Sequence, residues 1–346
     1  MTQAVFAIPG DKDRRTGGFI YEARILRELN ALGCVTEHLE LPDSFPDPTP
    51  GDMATTLRAL CAVPSDQKII LDGLVFGAID PEGLSRVSAP VIAMIHHPLG
   101  LETGLDPARA AFLLKNEAAA LRYADHVIVP SPETARVLCQ QLGADRDRIT
   151  VAQPGFDRPA VDRKPADPPL ILSVGLLAPR KGHDVLLAAL ARLKELPWQA
   201  EIVGKSHDPD YAKALHAQRR ALGLDQRVEF LGELSQHALT DRFNAASVFA
   251  LATRYEGYGM VLSEAMMYGL PVVTCDVGAV PQTVGEAALL VPPDDPARLS
   301  DALERIIGDP SEAARFSRLS AEKAAQLPQW RDTAEVFARV VERSFE

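Results

Sequence analysis

Short apolar runs alternate with longer amphipathic ones along the whole of this chain, and that alternation limits the folds open to it. The short runs read as strands buried on both faces, and the longer ones as helices covering them. In the first half, strands are predicted at residues 4–8, 35–39, 68–71, 91–95, 126–129 and 149–152, with helices at 17–32, 107–123 and 132–142. The proline-rich stretch 41–52 reads as a loop. Residues 156–169 break the rhythm and read as an interdomain linker, because proline interrupts both helix and ladder. A second series follows, with strands at 170–175, 199–203, 227–231, 247–251, 271–275 and 287–291. Its helices fall at 183–196, 210–222, 235–246, 260–268 and 296–307, and a last amphipathic helix follows Trp330. The same alternation on both sides of a linker predicts two doubly wound α/β domains in tandem, with ligands at the carboxyl ends of their strands.

A length of 346 residues is enough for two separate cores. The formal net charge of -11 argues against nucleic acid as a partner, and peripheral membrane contact is not indicated. The opening MTQAVFAIPG lacks the pattern of a signal peptide, and no apolar run has the length of a membrane span. Cys34, Cys61, Cys139 and Cys275 are scattered and read as reduced residues of a cytoplasmic protein. The eight histidines form no metal-ligand pattern. Three Asp-x-Asp triplets (11–13, 145–147 and 208–210) enclose lysine, arginine or proline and read as solvated turns. No metal or organic cofactor is expected.

Four places carry residues suited to chemistry. After the first strand, PGDKDRRTGG lacks both G-x-G-x-x-G and a Walker A pattern, which removes the main support for a dehydrogenase or P-loop reading. It does place Gly17-Gly18 at the start of a helix, where a sugar or phosphate can approach. His96-His97-Pro98 follows the apolar strand VIAMI, at a strand's carboxyl end. In the second half, Arg180 and Lys181 stand in the turn before a helix, a placement that suits a diphosphate. Finally, in RYEGYGMVLSEAMMYG, Glu256 precedes the turn Gly257-Tyr258-Gly259 and Glu264 lies in the helix after it. This would make an anion cradle with a carboxylate on either side, although spacing alone favours the plainer reading of two solvated glutamates.

Together these residues resemble the family 4 retaining glycosyltransferases. The likeness is strongest over residues 256–284 (EGYGMVLSEAMMYGLPVVTCDVGAVPQTV) and extends through 170–204 and RVEFLG at 227–232. In the first half only the Gly17-Gly18 loop and His96 match. The resemblance implies the GT-B fold: two Rossmann-like doubly wound domains facing a central cleft. Residues 1–155, completed by a C-terminal helix at 328–346, would serve the acceptor side, 156–169 would link, and 170–327 would bind the donor. It also implies a metal-independent transfer, with retained configuration, from a UDP-, GDP- or ADP-linked sugar to a hydroxyl of a small-molecule or glycan acceptor.

Each implied role falls on a numbered residue. Lys181 would contact the donor diphosphate, with Arg180 beside it. Glu264 would hold the ribose, and Glu256 would lie near the transferred sugar. The backbone of Gly257, Tyr258, Gly259, Met260 and Val261 would grip sugar and phosphate. Leu231 would lie near the base, Gly18 would face the diphosphate, and His96 would stand near the reacting centre with His97 as substitute. The sequence departs from the family at Leu176, where an arginine is usual, so one phosphate cation is missing unless Arg180 replaces it. Two other readings stay open: a non-catalytic GT-B protein that binds a nucleotide-sugar, and a nucleotide-sugar epimerase.

Overall fold

Each half of the alternation closes into a parallel sheet covered by helices. The computed structural model describes residues 3–193, 195–206 and 208–345, and these form two units, Met1–Asp157 with Pro328–Glu346, and Arg158–Leu327. In the first unit β1 (Ala4–Pro9), α1 (Gly17–Ala31), β2 (Thr36–Leu41), α2 (Pro50–Cys61), β3 (Lys68–Asp72), α3 (Gly73–Ala78), α4 (Pro81–Leu84), β4 (Val91–Met94), α5 (Pro107–Ala120), β5 (His126–Val129), α6 (Pro132–Leu142) and β6 (Ile149–Val151) follow in order. The six strands lie in the order β2-β1-β3-β4-β5-β6, all neighbours parallel. The chain reverses its winding between β1 and β3, so ligands are expected at the carboxyl ends of those two strands.

The second unit runs β7 (Leu170–Val174), α7 (His183–Leu190), β8 (Gln199–Val203), α8 (Pro209–Ala221), β9 (Val228–Gly232), α9 (Gln236–Ala245), β10 (Val248–Leu251), α10 (Met260–Met267), β11 (Val272–Cys275), α11 (Val280–Val284), β12 (Ala288–Val291), α12 (Pro296–Gly308) and α13 (Pro310–Ala325). Its order is β12-β11-β10-β7-β8-β9, again parallel throughout, with the reversal between β7 and β10. Strands such as VVTC and VFAL are buried along their whole length, as helices on both faces require.

The last helix, α14 (Trp330–Val341), belongs to the first unit and packs on α1. Tyr21 meets Trp330 and Phe337 with ring centroids 5.8 and 6.0 Å away, and Thr333 Oγ1 donates to the Gln153 carbonyl at 2.8 Å. Gly155 is required there, since a Cβ on it would lie 2.3 Å from Trp330 Cα. Glu346, the end of the predicted C-terminal segment, lies outside the described residues.

Two expectations need correction. The predicted loop 41–52 ends early, because Pro50 opens α2 and the Thr49 hydroxyl accepts from the Asp52 N–H at 3.1 Å. Proline at a first helical position starts a helix where elsewhere it would stop one. The helix predicted at 183–196 stops at Leu190, and the Leu193 carbonyl is taken by the Trp198 indole N–H at 2.7 Å; Lys194, within that prediction, lies outside the described residues. Residues 158–169 fall within the predicted linker 156–169. They lie on the second unit, where Arg163 donates to the carbonyls of Tyr268 and Ala246, and the N–H groups of Lys164 and Ala166 bond to Asn244 and Ala245. The Asp145 and Asp208 carboxylates of two Asp-x-Asp triplets accept N–H groups at helix starts, which gives them a structural role. Among the described residues, no helix is long and apolar enough to cross a membrane.

Glu117 of α5 is fully buried, and its Oε2 accepts the Leu99 N–H at 3.0 Å. Burial pushes its carboxyl up to about 8. A carboxyl raised in the folded state contributes stability below its unfolded value and loses it as pH rises through the folded one. Glu117→Gln keeps an oxygen for Leu99 and removes that loss. The variant should gain on wild type between about pH 5 and 8, by up to ~1.4 kcal/mol per pH unit. Urea unfolding at both pH values measures the gain.

Candidate functional site

A cluster of polar side chains in the second unit stands where β7 and β10 end side by side. The loop after β7 carries Arg180, Lys181, Gly182 and His183, and the loop after β10 carries Thr253, Arg254 and Glu256. Glu256 is only 6% exposed, yet it is well supplied with partners. Lys181 Nζ lies 2.5 Å from its Oε1, Arg180 Nη1 3.4 Å from its Oε2, and the Thr253 hydroxyl 3.0 Å from Oε1. Burial alone would push this carboxyl up. The charges of Lys181 and Arg180, with hydrogen bonds from Lys181 and Thr253, outweigh it and hold the carboxyl below its usual range. Two cations face one carboxylate, so the cluster keeps a positive balance suited to an anion.

Backbone geometry fixes this cluster. Gly182 has φ +63, and a Cβ there would lie 1.8 Å from the Ala252 carbonyl oxygen, so the two loops touch where a side chain has no room. Gly182→Ala combines a left-handed penalty of ~1–2 kcal/mol with a forced shift of backbone, and should destabilise the protein by at least about 3 kcal/mol in urea unfolding. Arg254 ties the loops from the other side. It grips both oxygens of Asp184 at 3.0 and 2.7 Å and Asp294 at 2.8 Å, and its N–H donates to the Arg180 carbonyl at 2.7 Å. The Tyr211 hydroxyl also donates to Asp184, at 2.7 Å. Burial pushes the Asp184 carboxyl up, but Arg254 and Tyr211 overcome it and hold it low.

His183 is completely buried, with Nε2 3.2 Å from the Leu176 carbonyl and 3.3 Å from that of Gly175. Burial drives its imidazole down to about 4, so the ring is neutral and its Nε2–H pins the loop that carries Leu176. Sequence reasoning missed Thr253, Arg254 and His183. Their signal was position, since all three directly follow strand ends or the Arg180-Lys181 pair.

The other predicted residues lie around this cluster. Gly259, at φ +86, precedes α10 and has no side chain to cap it, which leaves the N–H groups of Met260 and Val261 at the start of that helix. Gly257 and Tyr258 complete the turn. The Tyr258 carbonyl accepts the Thr283 hydroxyl at 2.6 Å, and the Glu256 carbonyl accepts the Ala279 N–H at 2.9 Å. Glu264 lies on α10, half-buried, and has no hydrogen-bond or ionic partner among the described residues; burial pushes its carboxyl up to about 7. Leu231 lies in β9, two strands from β7 at the edge of the sheet, and does not join the cluster.

In the first unit Gly18 and His96 come together. A Cβ on Gly18 would sit 3.3 Å from the His96 ring, so this glycine makes room for the imidazole. His96 Nε2 lies 3.2 Å from Oε1 of the buried Glu22, and His97 Nε2 lies 3.2 Å from Glu102. Among the described residues, Glu22, Asp72 and His96 are the one group of three metal-ligand-type side chains with facing atoms, all within 4.8 Å of one another. Only His96 of this group stands out in the sequence, because its members come from three separate elements.

Residues 157–323 match the profile of "Glycosyl transferases group 1", and residues 78–158 match that of "Glycosyltransferase Family 4". The chain belongs to the family 4 glycosyltransferases. This family member is 32% identical to D-inositol 3-phosphate glycosyltransferase 2 of Catenulispora acidiphila, over 74% of the chain and 66% of the relative. It is 29% identical to the mannosylfructose-phosphate synthase of Agrobacterium fabrum, over 66% of the chain and 55% of the relative. The chain thus spans between about half and two thirds of these curated relatives. Among solved structures, sucrose-phosphate synthase from Thermosynechococcus elongatus superposes with a TM-score of 0.84 at 23% identity, over 98% of each chain. HepE of Anabaena, in complex with UDP-glucose, superposes with a TM-score of 0.79 at 19% identity, over 99% of each chain. These likenesses carry the GT-B fold of two Rossmann-like sheets.

Proposed function

We propose that this protein is a metal-independent, retaining glycosyltransferase that moves a sugar from a nucleotide-diphosphate sugar to a hydroxyl of a small-molecule or glycan acceptor. The observation that carries the proposal is the pair Lys181 and Arg180 clustered on buried Glu256, beside the uncapped start of α10. Breaking the sugar–phosphate bond leaves negative charge on the diphosphate. Two fixed cations and backbone N–H groups stabilise that charge without having to reorganise. Arg180 takes the part usually played by the arginine that Leu176 replaces. Glu264, enclosed and unpartnered, is assigned to the ribose hydroxyls, and Glu256 to positioning near the transferred sugar. The turn Gly257–Val261 is assigned to the sugar and phosphate, Leu231 to the base, Gly18 to the diphosphate, and His96 to the reacting centre.

HepE bound to UDP-glucose supports a nucleotide-sugar donor. The names of the curated relatives favour a small soluble acceptor over a lipid. Four free cysteines fit a reducing compartment, here taken as the cytoplasm.

Product analysis by NMR tests the reading. With UDP-, GDP- or ADP-sugars, an acceptor panel and EDTA present, a glycoside of unchanged anomeric configuration is expected. An epimerised nucleotide-sugar formed without acceptor would point to the epimerase. Donor binding with no reaction would point to a binding protein.

A further inference from the structure

The first unit holds two buried acids, beside His96, to which the donor chemistry gives no part. Glu22 comes from α1, Asp72 is the last residue of β3, and His96 follows β4, so the three meet where the sheet reverses between β1 and β3. Glu22 is 0% and Asp72 2% exposed. Among the described residues, neither carboxylate is paired with lysine or arginine. Asp72 Oδ1 accepts the N–H groups of Leu74 and Val75 at 2.8 and 3.3 Å, while Glu22 Oε2 is buried with no partner. Two carboxylates so close in a low dielectric cannot both stay ionised, so one of them carries a proton.

His96 completes the arrangement. Its Nε2 faces Glu22, and Nδ1 has no partner among the described residues. The ring is held edge-on by Tyr21, with centroids 5.5 Å apart, and Tyr21 is itself anchored on the Ala152 carbonyl at 2.8 Å. Its remaining exposure is 24% of the side chain. Burial lowers the imidazole's affinity for a second proton, so at neutral pH one ring nitrogen carries a hydrogen and the other a lone pair.

We propose that the Glu22–Asp72 pair is a positioning element: it fixes His96 with Nε2–H donated to Glu22 and with the Nδ1 lone pair presented to a substrate hydroxyl. A carboxylate that orients a histidine through one ring nitrogen sets what the other nitrogen can do. The substrate half of the assignment rests on the transfer reading, whereas the hydrogen-bond half stands without it. The hydroxyl belongs either to the acceptor or to the transferred sugar, and kinetics separate the two.

The test combines NMR and kinetics on the full chain. In protein labelled with 15N-histidine, with His96 assigned by its loss in His96→Gln, a slowly exchanging downfield proton is expected on Nε2. It should persist in Glu22→Gln, whose amide oxygen can still accept, and vanish in Glu22→Ala. A proton on Nδ1 in wild type, or an unchanged Nε2 proton in Glu22→Ala, overturns the proposal. Should Glu22→Ala not fold, the wild-type site of protonation still decides. Displacement of that proton by added Mg2+, Mn2+ or Zn2+ also overturns it, by making the cluster a cation site. Kinetically, Glu22→Ala should lower kcat/KM by about 10–100-fold. A loss in acceptor KM places the acceptor's hydroxyl on Nδ1, whereas a loss in donor hydrolysis without acceptor places the transferred sugar's there. Unchanged kinetics in Glu22→Ala, with the Nε2 proton gone, overturns the substrate role alone.

Discussion

Replacing Lys181 with alanine should lower transfer by about 10²–10³-fold, the usual cost of removing one fixed group that stabilises a developing anion. In the resting protein Lys181 Nζ stands 2.5 Å from Glu256, and both side chains are largely enclosed. Removing one partner of a buried pair typically costs roughly 3–5 kcal/mol. Arg180 stays 3.4 Å from the same carboxylate, so a smaller loss of about 1–3 kcal/mol is expected here. The deficit should grow with pH. In wild type, the depressed Glu256 carboxyl contributes stability above the usual carboxylate range and loses it only in acid. Without Lys181 burial gains weight, the folded carboxyl rises, and stability is lost as pH increases. Urea unfolding near pH 5 and pH 8, beside steady-state rates, measures both effects. Equal rates for wild type and Lys181→Ala would remove the diphosphate assignment.

Replacing Glu264 with glutamine should weaken donor binding by about 10–100-fold, as expected when a charged hydrogen-bond acceptor is lost. The pH dependence is the more distinctive part. Burial raises the Glu264 carboxyl to about 7, so the unliganded protein holds it partly protonated at neutral pH. Two ribose hydroxyls are best received by the ionised form. Binding then releases a proton, and affinity should fall up to about tenfold per pH unit below 7. A nucleotide-diphosphate sugar has no titrating group of its own in that window, and Glu256 stays ionised there because its carboxyl is depressed. Glu264→Gln should therefore bind weakly and without that slope.

Most of the fold is legible in the sequence because the strands are short, apolar and evenly spaced. All twelve predicted strands correspond to strands, and 126–129 and 199–203 match residue for residue. Helices that are very short, or that follow another helix with no loop between, do not stand out in the sequence. α13 follows α12 after only Asp309, and α3 and α4 are too short to show a helical repeat. The loop before α2 was misjudged because proline reads both as a breaker and as a first helical residue.

The site was legible where one local segment carries it, as in 254–269. It was not legible where the fold assembles it. Glu22 and Asp72 were unremarked acids fifty residues apart, and only β1 and β3 pairing in parallel brings them together. Thr253 looks like an ordinary loop residue, and His183 like an ordinary helix start, until their hydrogen bonds to Glu256 and to the Gly175–Leu176 carbonyls are seen. Leu176 leaves the family's usual cation missing, and Arg180 stands beside Glu256, donating to the Tyr255 carbonyl at 3.0 Å.

Lys181, Glu256 and Glu264 are proposed to form a nucleotide-sugar site in the second unit. Isothermal titration of UDP-, GDP- and ADP-sugars into wild type, Lys181→Ala and Glu264→Gln at pH 6 and pH 8 tests that assignment. One base class should bind wild type more tightly at pH 8 than at pH 6, and both variants should bind it at least about tenfold more weakly at pH 8. Tight binding that neither substitution changes, or no binding by any of these donors, would contradict it.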